Sequence, residues 1–115
     1  MSTDTDAKLI ARVDAWVAAQ CESWTGDRRI VAEEWRHKSR TTRTDGPDAG
    51  DRAAMGGILL ALVRLAWGDA VEIEVTSLAN GEGFIVIRED DVDVWEGFGF
   101  DSLAAALVAA LEAAP

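Results

Sequence analysis

Apolar residues recur at helical spacing in three stretches of the chain. Residues 51–67 are apolar over more than half of a helix circumference, which predicts a buried helix. A second predicted helix follows a cap at Asp101 or Ser102 and places Leu103, Leu107 and Leu111 on one stripe. Residues 6–24 form the first helix, which should end near Gly26, with an apolar stripe about 140° wide at 100° per residue. That stripe consists of Leu9, Ile10, Val13, Trp16, Val17, Cys21 and Trp24.

Residues 71–95 alternate in the manner of strands. Val71, Ile73 and Val75 alternate with two glutamates and a threonine, and Asn80-Gly81 then forms the strongest short hairpin signal, a two-residue type I′ turn. This turn places Thr76 opposite Ile85 and Glu74 opposite Ile87. The pattern therefore predicts an antiparallel β-meander.

The third strand is predicted to follow a three-residue loop at residues 89–91. Such a loop sets Val94 opposite Val86 and Trp95 opposite Ile85. The loop lacks glycine, but aspartate tolerates the left-handed conformation.

Residues 28–44 fit two patterns. A helix would pair Glu34 with Lys38 at i,i+4 spacing, whereas a strand would alternate Val31, Glu33, Trp35 and His37. The threonine-rich and basic end of the segment favours a bent element with a strand toward its end. Residues 45–50, with two glycines and a proline, predict a loop.

The fold class predicted from these elements is α+β. We expect a three-stranded antiparallel β-meander, with a fourth strand from the basic segment as an alternative, packed against two or three α-helices. At 115 residues the chain is expected to form a single domain, 1–115.

Composition indicates a globular protein of a reducing compartment. Apolar residues make up 49% of the chain and charged residues 28%. The only cysteine, Cys21, cannot form an intramolecular disulfide, and we expect it to be packed in the core. The N-terminus lacks the pattern of a secretory signal, and the apolar run at residues 55–67 is too short to cross a bilayer. These features predict a cytoplasmic protein without a membrane partner.

Charge is distributed unevenly along the chain. The net charge is −10, and residues 53–115 carry eleven acidic residues against two arginines. Such a field repels phosphate backbones and attracts basic proteins, so direct nucleic-acid binding is disfavoured.

One face of the predicted sheet combines apolar and acidic side chains. In the predicted register, the face turned away from the helices has an apolar centre with an aromatic anchor inside an acidic rim, which resembles a protein interface. The alternatives are that another helix or a second copy of the chain covers it. The predicted partner-binding residues are Glu72, Glu74, Ile85, Ile87, Glu89, Asp91, Asp93 and Trp95.

The basic segment offers a weaker signal. Its six bases, Arg28, Arg29, Arg36, Lys38, Arg40 and Arg43, could contact phosphates, but pairing with the protein's own acids is the simpler expectation.

Catalytic patterns are sparse. Glu33, Glu34 and His37 would lie within one helical turn, as metal ligands can, yet the second copy that a di-iron site requires is missing. No nucleophile motif or phosphate loop is present in the sequence, and no cofactor is predicted.

The sequence therefore predicts a non-enzymatic small acidic binding protein. The expected partner is a basic protein, such as a nuclease or a nucleic-acid-binding complex, which the acidic sheet face blocks by imitating a phosphate backbone. A phage anti-defence inhibitor of the anti-CRISPR type and a nuclease immunity protein both fit. The competing hypothesis is a structural subunit that buries the same face in a homodimer.

Overall fold

The computed structural model describes residues 3–42, 49–79, 82–100 and 102–114 and has an α+β fold. Within these residues, four α-helices and three strands follow one another: α1 (Thr3–Gln20), α2 (Asp27–Thr41), α3 (Ala49–Trp67), β1 (Val71–Ser77), β2 (Gly83–Glu89), β3 (Val92–Phe100) and α4 (Leu103–Glu112). A short 3₁₀ turn, Cys21–Ser23, follows α1. Contacts divide the chain into two compact units, Met1–Leu62 and Val63–Pro115, with the division inside α3. That the chain folds as one domain stays a prediction.

The first unit contains α1 and α2. The α1 stripe predicted from the sequence is buried at Leu9, Ile10, Val13 and Val17, while Trp16 and Trp24 form an edge-to-face ring pair with centroids 5.2 Å apart. Trp35 of α2 is buried, and its indole nitrogen donates to Asp14 Oδ1 of α1 at 2.7 Å. The side chain of Cys21 and residues 43–48 lie outside the described structure. The loop predicted at residues 45–50 therefore lies mostly outside it, but Ala49 and Gly50 already belong to α3.

The basic segment is a helix, which corrects the sequence prediction. Gly26, with φ of 63°, precedes α2, and the helix continues without interruption to Thr41. The preference for a strand was wrong because buried Ala32 and Trp35 lie three positions apart, the spacing of one helical face. The alternative of a fourth strand is therefore wrong for residues 27–41, and the sheet of the described residues has three strands.

The second unit contains the antiparallel sheet, in the order β1-β2-β3, and α4. Strands β2 and β3 pack against α4, and a Cβ atom added to Gly83 would lie 2.7 Å from Leu103 Cα. The Ser102 hydroxyl caps α4 by accepting a hydrogen bond from the Ala105 N–H at 3.1 Å, as the sequence predicted. The Trp67 indole at the end of α3 donates to the Ala110 carbonyl at 2.8 Å.

The register between β1 and β2 differs from the prediction by one residue. Val75 lies opposite Ile85 and Ile73 opposite Ile87. The Leu78 N–H donates to the Glu82 carbonyl at 2.8 Å, so the connection spans the three residues 79–81 instead of two. Asn80 and Gly81 themselves lie outside the described residues. A one-residue change in register exchanges the faces that the two strands share.

The second hairpin also differs from the prediction. Glu89 pairs with Val92, so the connection is the two-residue turn Asp90-Asp91, with φ values of 53° and 65°. Positive φ at both residues is typical of a type I′ turn. The register then shifts between Ile87 and Arg88, which indicates a β-bulge in β3. As a result Trp95 lies opposite Ile87 instead of Ile85, and Val86 lies opposite Glu96 instead of Val94.

The turn provides a test of this second register. Asp91→Gly and Asp91→Ala remove the same charge, but only glycine adopts a positive φ at little cost. We therefore expect the glycine variant to be more stable than the alanine variant by about 1 kcal/mol. Urea denaturation followed by circular dichroism measures the difference, and equal stabilities would contradict a left-handed residue at this position.

Among the described residues, no helix is both long enough and apolar enough to cross a membrane.

Candidate functional site

The strand register determines which side chains of the sheet pack against α4 and which lie on the opposite face. Residues of odd number in β1 and β2 share the face that packs against α4, because Ile85 and Ile87 have an exposed fraction of 0% and Gly83 approaches Leu103. The opposite face, hereafter the outer face, carries the even-numbered residues of those strands and their neighbours in β3. Its members are Glu72, Glu74, Thr76, Phe84, Val86, Arg88, Asp93, Glu96 and Phe98.

Three predicted partner-binding residues are on the opposite face from the one expected. Ile85 and Ile87 are fully buried, and Trp95, opposite Ile87, is half-buried on the same face. These residues do share one face, as predicted, but that face packs against α4. The exchange follows from the register, because Val71, Ile73 and Val75 pair with the odd-numbered residues of β2.

The remaining predicted residues divide between the outer face and the hairpin end. Glu72, Glu74 and Asp93 lie on the outer face and are exposed. Glu89 is exposed at the end of β2 but, being odd-numbered, lies on the same face as Ile85 and Ile87, and Asp91 occupies the turn. The predicted acidic rim is therefore retained only in part, around a different apolar centre.

Two phenylalanines form that centre. The rings of Phe84 and Phe98 have centroids 5.2 Å apart and an interplanar angle of 32°. Phe98 is 56% exposed, whereas Val86, between the flanking strands, is only 6% exposed. Val94, close by in β3, is 44% exposed. An exposed aromatic ring held against a second ring is a suitable anchor for a partner, because its position is fixed before binding.

Among the described residues, Arg88 is the only basic side chain of the outer face. Its Nη1 contacts Glu74 Oε2 at 2.8 Å, and its Nε contacts Asp93 Oδ1 at 2.8 Å. These two hydrogen bonds raise the pKa of Arg88, that to Asp93 most strongly. One arginine therefore links two acids of neighbouring strands and leaves the outer face with an excess of negative charge.

Within the described part of the chain, Glu96 forms no ion pair with a basic side chain. A side-chain hydrogen bond with Asp93 is the main cause that raises the pKa of Glu96, followed by desolvation and the charge of Asp93, while Arg88 opposes the shift. The negative charges of two adjacent carboxylates repel each other. A cation supplied by a partner would relieve the same repulsion.

The second unit as a whole is negatively charged, like its outer face. The second unit contains eleven acidic residues and two arginines, Arg64 and Arg88, a net charge of −9. The outer face is therefore a local apolar centre within a strongly negative unit.

Three bases of the basic segment contact other side chains of the first unit. The Arg28 guanidinium lies 6.0 Å from the Trp24 ring centroid, Arg29 Nε contacts Glu33 Oε1 at 3.3 Å, and Lys38 Nζ contacts Asp51 Oδ1 at 2.7 Å. Arg43 lies outside the described residues. The described part of the chain contains no group of three or more histidine, cysteine, aspartate or glutamate residues that could hold a metal ion, so Glu33, Glu34 and His37 do not form one.

Sequence reasoning missed Phe84, Glu96 and Phe98 as members of the candidate surface. The signal was present in Glu96-Gly-Phe98, where the polar and aromatic residues are two positions apart and so share a face. It was obscured by the assumption that the sheet ends at Trp95, whereas β3 extends to Phe100.

Comparisons with known proteins add no relative: no protein-family model matches the chain, and no significant match is found among curated proteins or solved structures.

Proposed function

We propose that the protein is a non-enzymatic binding protein whose outer face engages and blocks a basic, nucleic-acid-binding protein. The observation that carries the proposal is the exposed Phe98 ring within a set of exposed carboxylates, Glu72, Glu74, Asp93 and Glu96. An aromatic anchor with a rim of one charge fits a partner that offers a shallow apolar site among lysines and arginines.

Charge complementarity selects the class of partner. Proteins that bind DNA or RNA present basic grooves, and carboxylates spaced along strands can occupy such a groove in place of phosphates. A phage-encoded inhibitor of bacterial defence and an immunity protein for a nuclease both require this kind of recognition. The negative second unit would also accelerate the encounter with a basic partner at low ionic strength.

Self-association through the outer face is the less favoured alternative. A two-fold interface brings the same patch together from both copies, so the carboxylates of one copy would face those of the other. The residues first expected to form such an interface, Ile85 and Ile87, are already buried within the protein. Size-exclusion chromatography with light scattering should therefore give a monomer, and a concentration-independent dimer would favour the alternative.

The experiment compares two charge-reversed variants as bait. Glu72→Lys with Glu96→Lys alters the outer face but spares Glu74 and Asp93, which hold Arg88. Glu22→Lys with Glu34→Lys makes the same change of charge at exposed positions of the first unit. A bacterial lysate fractionated on heparin supplies the basic nucleic-acid-binding proteins.

We expect the wild type and the control variant to capture the same basic protein. The affinity of the outer-face variant for that protein should be at least about tenfold lower. The captured protein should form a stoichiometric complex when purified, and the complex should no longer bind DNA or RNA. Equal capture by both variants, or a complex that still binds nucleic acid, would contradict the proposal.

A further inference from the structure

The first unit has a cleft between α1 and α2 that the proposed function does not use. It has a volume of about 330 Å³, and the described residues that line it are Asp14 of α1 and Arg36, Ser39 and Arg40 of α2. This volume is within the range of small-molecule sites. We propose that the cleft binds a small phosphate monoester that carries an amine.

The two arginines form the anion-binding side. Positions i and i+4 of a helix are neighbours on its surface, so Arg36 and Arg40 present their guanidinium groups together. Arg40 Nε donates to the Arg36 carbonyl at 3.2 Å, which fixes that side chain along the helix. Neither arginine has a carboxylate partner among the residues that the structure describes. Guanidinium groups bind phosphate oxygens in bidentate fashion. Two neighbouring guanidinium groups without carboxylate partners are therefore suited to binding a doubly charged phosphate.

The other described residues of the cleft, Asp14 and Ser39, are acceptors. Asp14 Oδ1 receives the indole N–H of Trp35 at 2.7 Å, and within the described chain the second oxygen has no partner. The Ser39 hydroxyl donates to the Arg36 carbonyl at 3.2 Å and so offers its lone pairs to a ligand. A carboxylate beside a phosphate is unfavourable unless the ligand also carries a positive group. The lining therefore selects a phosphorylated amine over inorganic phosphate.

Arg29 supplies a matched control. It lies on the same helix and is exposed, but its guanidinium is already paired with Glu33 at 3.3 Å. Arg29→Gln, Arg36→Gln and Arg40→Gln each remove one charge from the exposed surface of α2. A long-range electrostatic effect would weaken phosphate binding equally in all three, whereas a local site would respond only to the second and third.

The test uses glucosamine 6-phosphate as the probe, with glucose 6-phosphate and glucosamine as comparison ligands, by calorimetry at low ionic strength. We expect a dissociation constant for the probe on the order of 0.1 to 1 mM and at least about threefold weaker binding of each comparison ligand. Arg36→Gln and Arg40→Gln should each weaken the binding of glucosamine 6-phosphate by at least about threefold, and Arg29→Gln should leave it unchanged.

Asp14→Asn tests the contribution of the carboxylate independently of the two arginines. The amide oxygen still accepts from Trp35, so the fold is retained, but the negative charge is lost. This variant should bind glucose 6-phosphate and glucosamine 6-phosphate equally well. Absence of saturable binding by the wild type, equal losses in Arg29→Gln and Arg36→Gln, or an unchanged preference for the amine in Asp14→Asn would overturn the proposal.

Discussion

Replacing Ile87 with lysine should leave the second unit largely unfolded at room temperature. Ile87 has no exposed surface and lies between Ile73 and Trp95 on the face that packs against α4. Placing an unpaired ammonium group there is expected to cost more than about 4 kcal/mol, which is comparable with the total stability of many small domains. The milder Ile87→Ala should remove about 3 kcal/mol, because it leaves a cavity.

Val94→Lys is the matched control for this prediction. Val94 is 44% exposed and adjoins Asp93, so a lysine there stays in water beside acidic side chains. We expect its free energy of unfolding to stay within about 1 kcal/mol of the wild type. Circular dichroism and urea denaturation monitored by tryptophan fluorescence measure both variants. A folded Ile87→Lys variant of wild-type stability would show that the assignment of sheet faces is wrong.

Gly83→Ala is expected to destabilise the protein by about 2 kcal/mol, because the added methyl group overlaps with backbone. A Cβ atom at this position would lie 2.7 Å from Leu103 Cα and 3.0 Å from its Cβ. Truncating Leu103 does not relieve a contact with its Cα atom, so α4 itself has to move. The prediction thus tests the close approach of β2 and α4.

Gly57→Ala provides the comparison for Gly83→Ala. Gly57 is an exposed glycine within α3, and a Cβ atom there would meet no atom within 4 Å. Alanine should stabilise the helix by about 0.5 to 1 kcal/mol. Both variants reduce the freedom of the unfolded chain equally, so a difference of about 3 kcal/mol between them reports on the native state alone. Urea denaturation of both variants measures this difference, and two variants of equal stability would contradict the predicted contact between Gly83 and Leu103.

The elements with one strongly apolar face were predictable from the sequence. The α1 stripe from Leu9 to Val17, the alternation of β1 and the cap at Ser102 each depend on neighbouring residues, and all three occur as expected. The helical conformation of α2 was not predictable with the same success. Its helix propensity and its strand-like alternation compete locally, and the burial of Ala32 and Trp35 decides between them.

The candidate surface was harder to predict than the fold, because it depends on register. Strand β2 has apolar residues on both sides, Phe84 and Val86 on one and Ile85 and Ile87 on the other, so its own pattern gives no preference for either face. The preference comes from β1, through a connection one residue longer than the type I′ turn that Asn80-Gly81 predicted. One additional residue in the loop was enough to bury the residues predicted at the centre of the surface and to put residues of the other face in their place.

The sequence by itself determined the α+β class, the order of the elements apart from α2, and the negative charge of the second half, since these depend on composition and local periodicity. Only the tertiary structure decided that Phe84 and Phe98 are on the outer face while Ile85 and Ile87 are buried. The physical reason is that side chains alternate between faces with a period of two residues, whereas the pairing of strands is settled by contacts between residues distant in the chain.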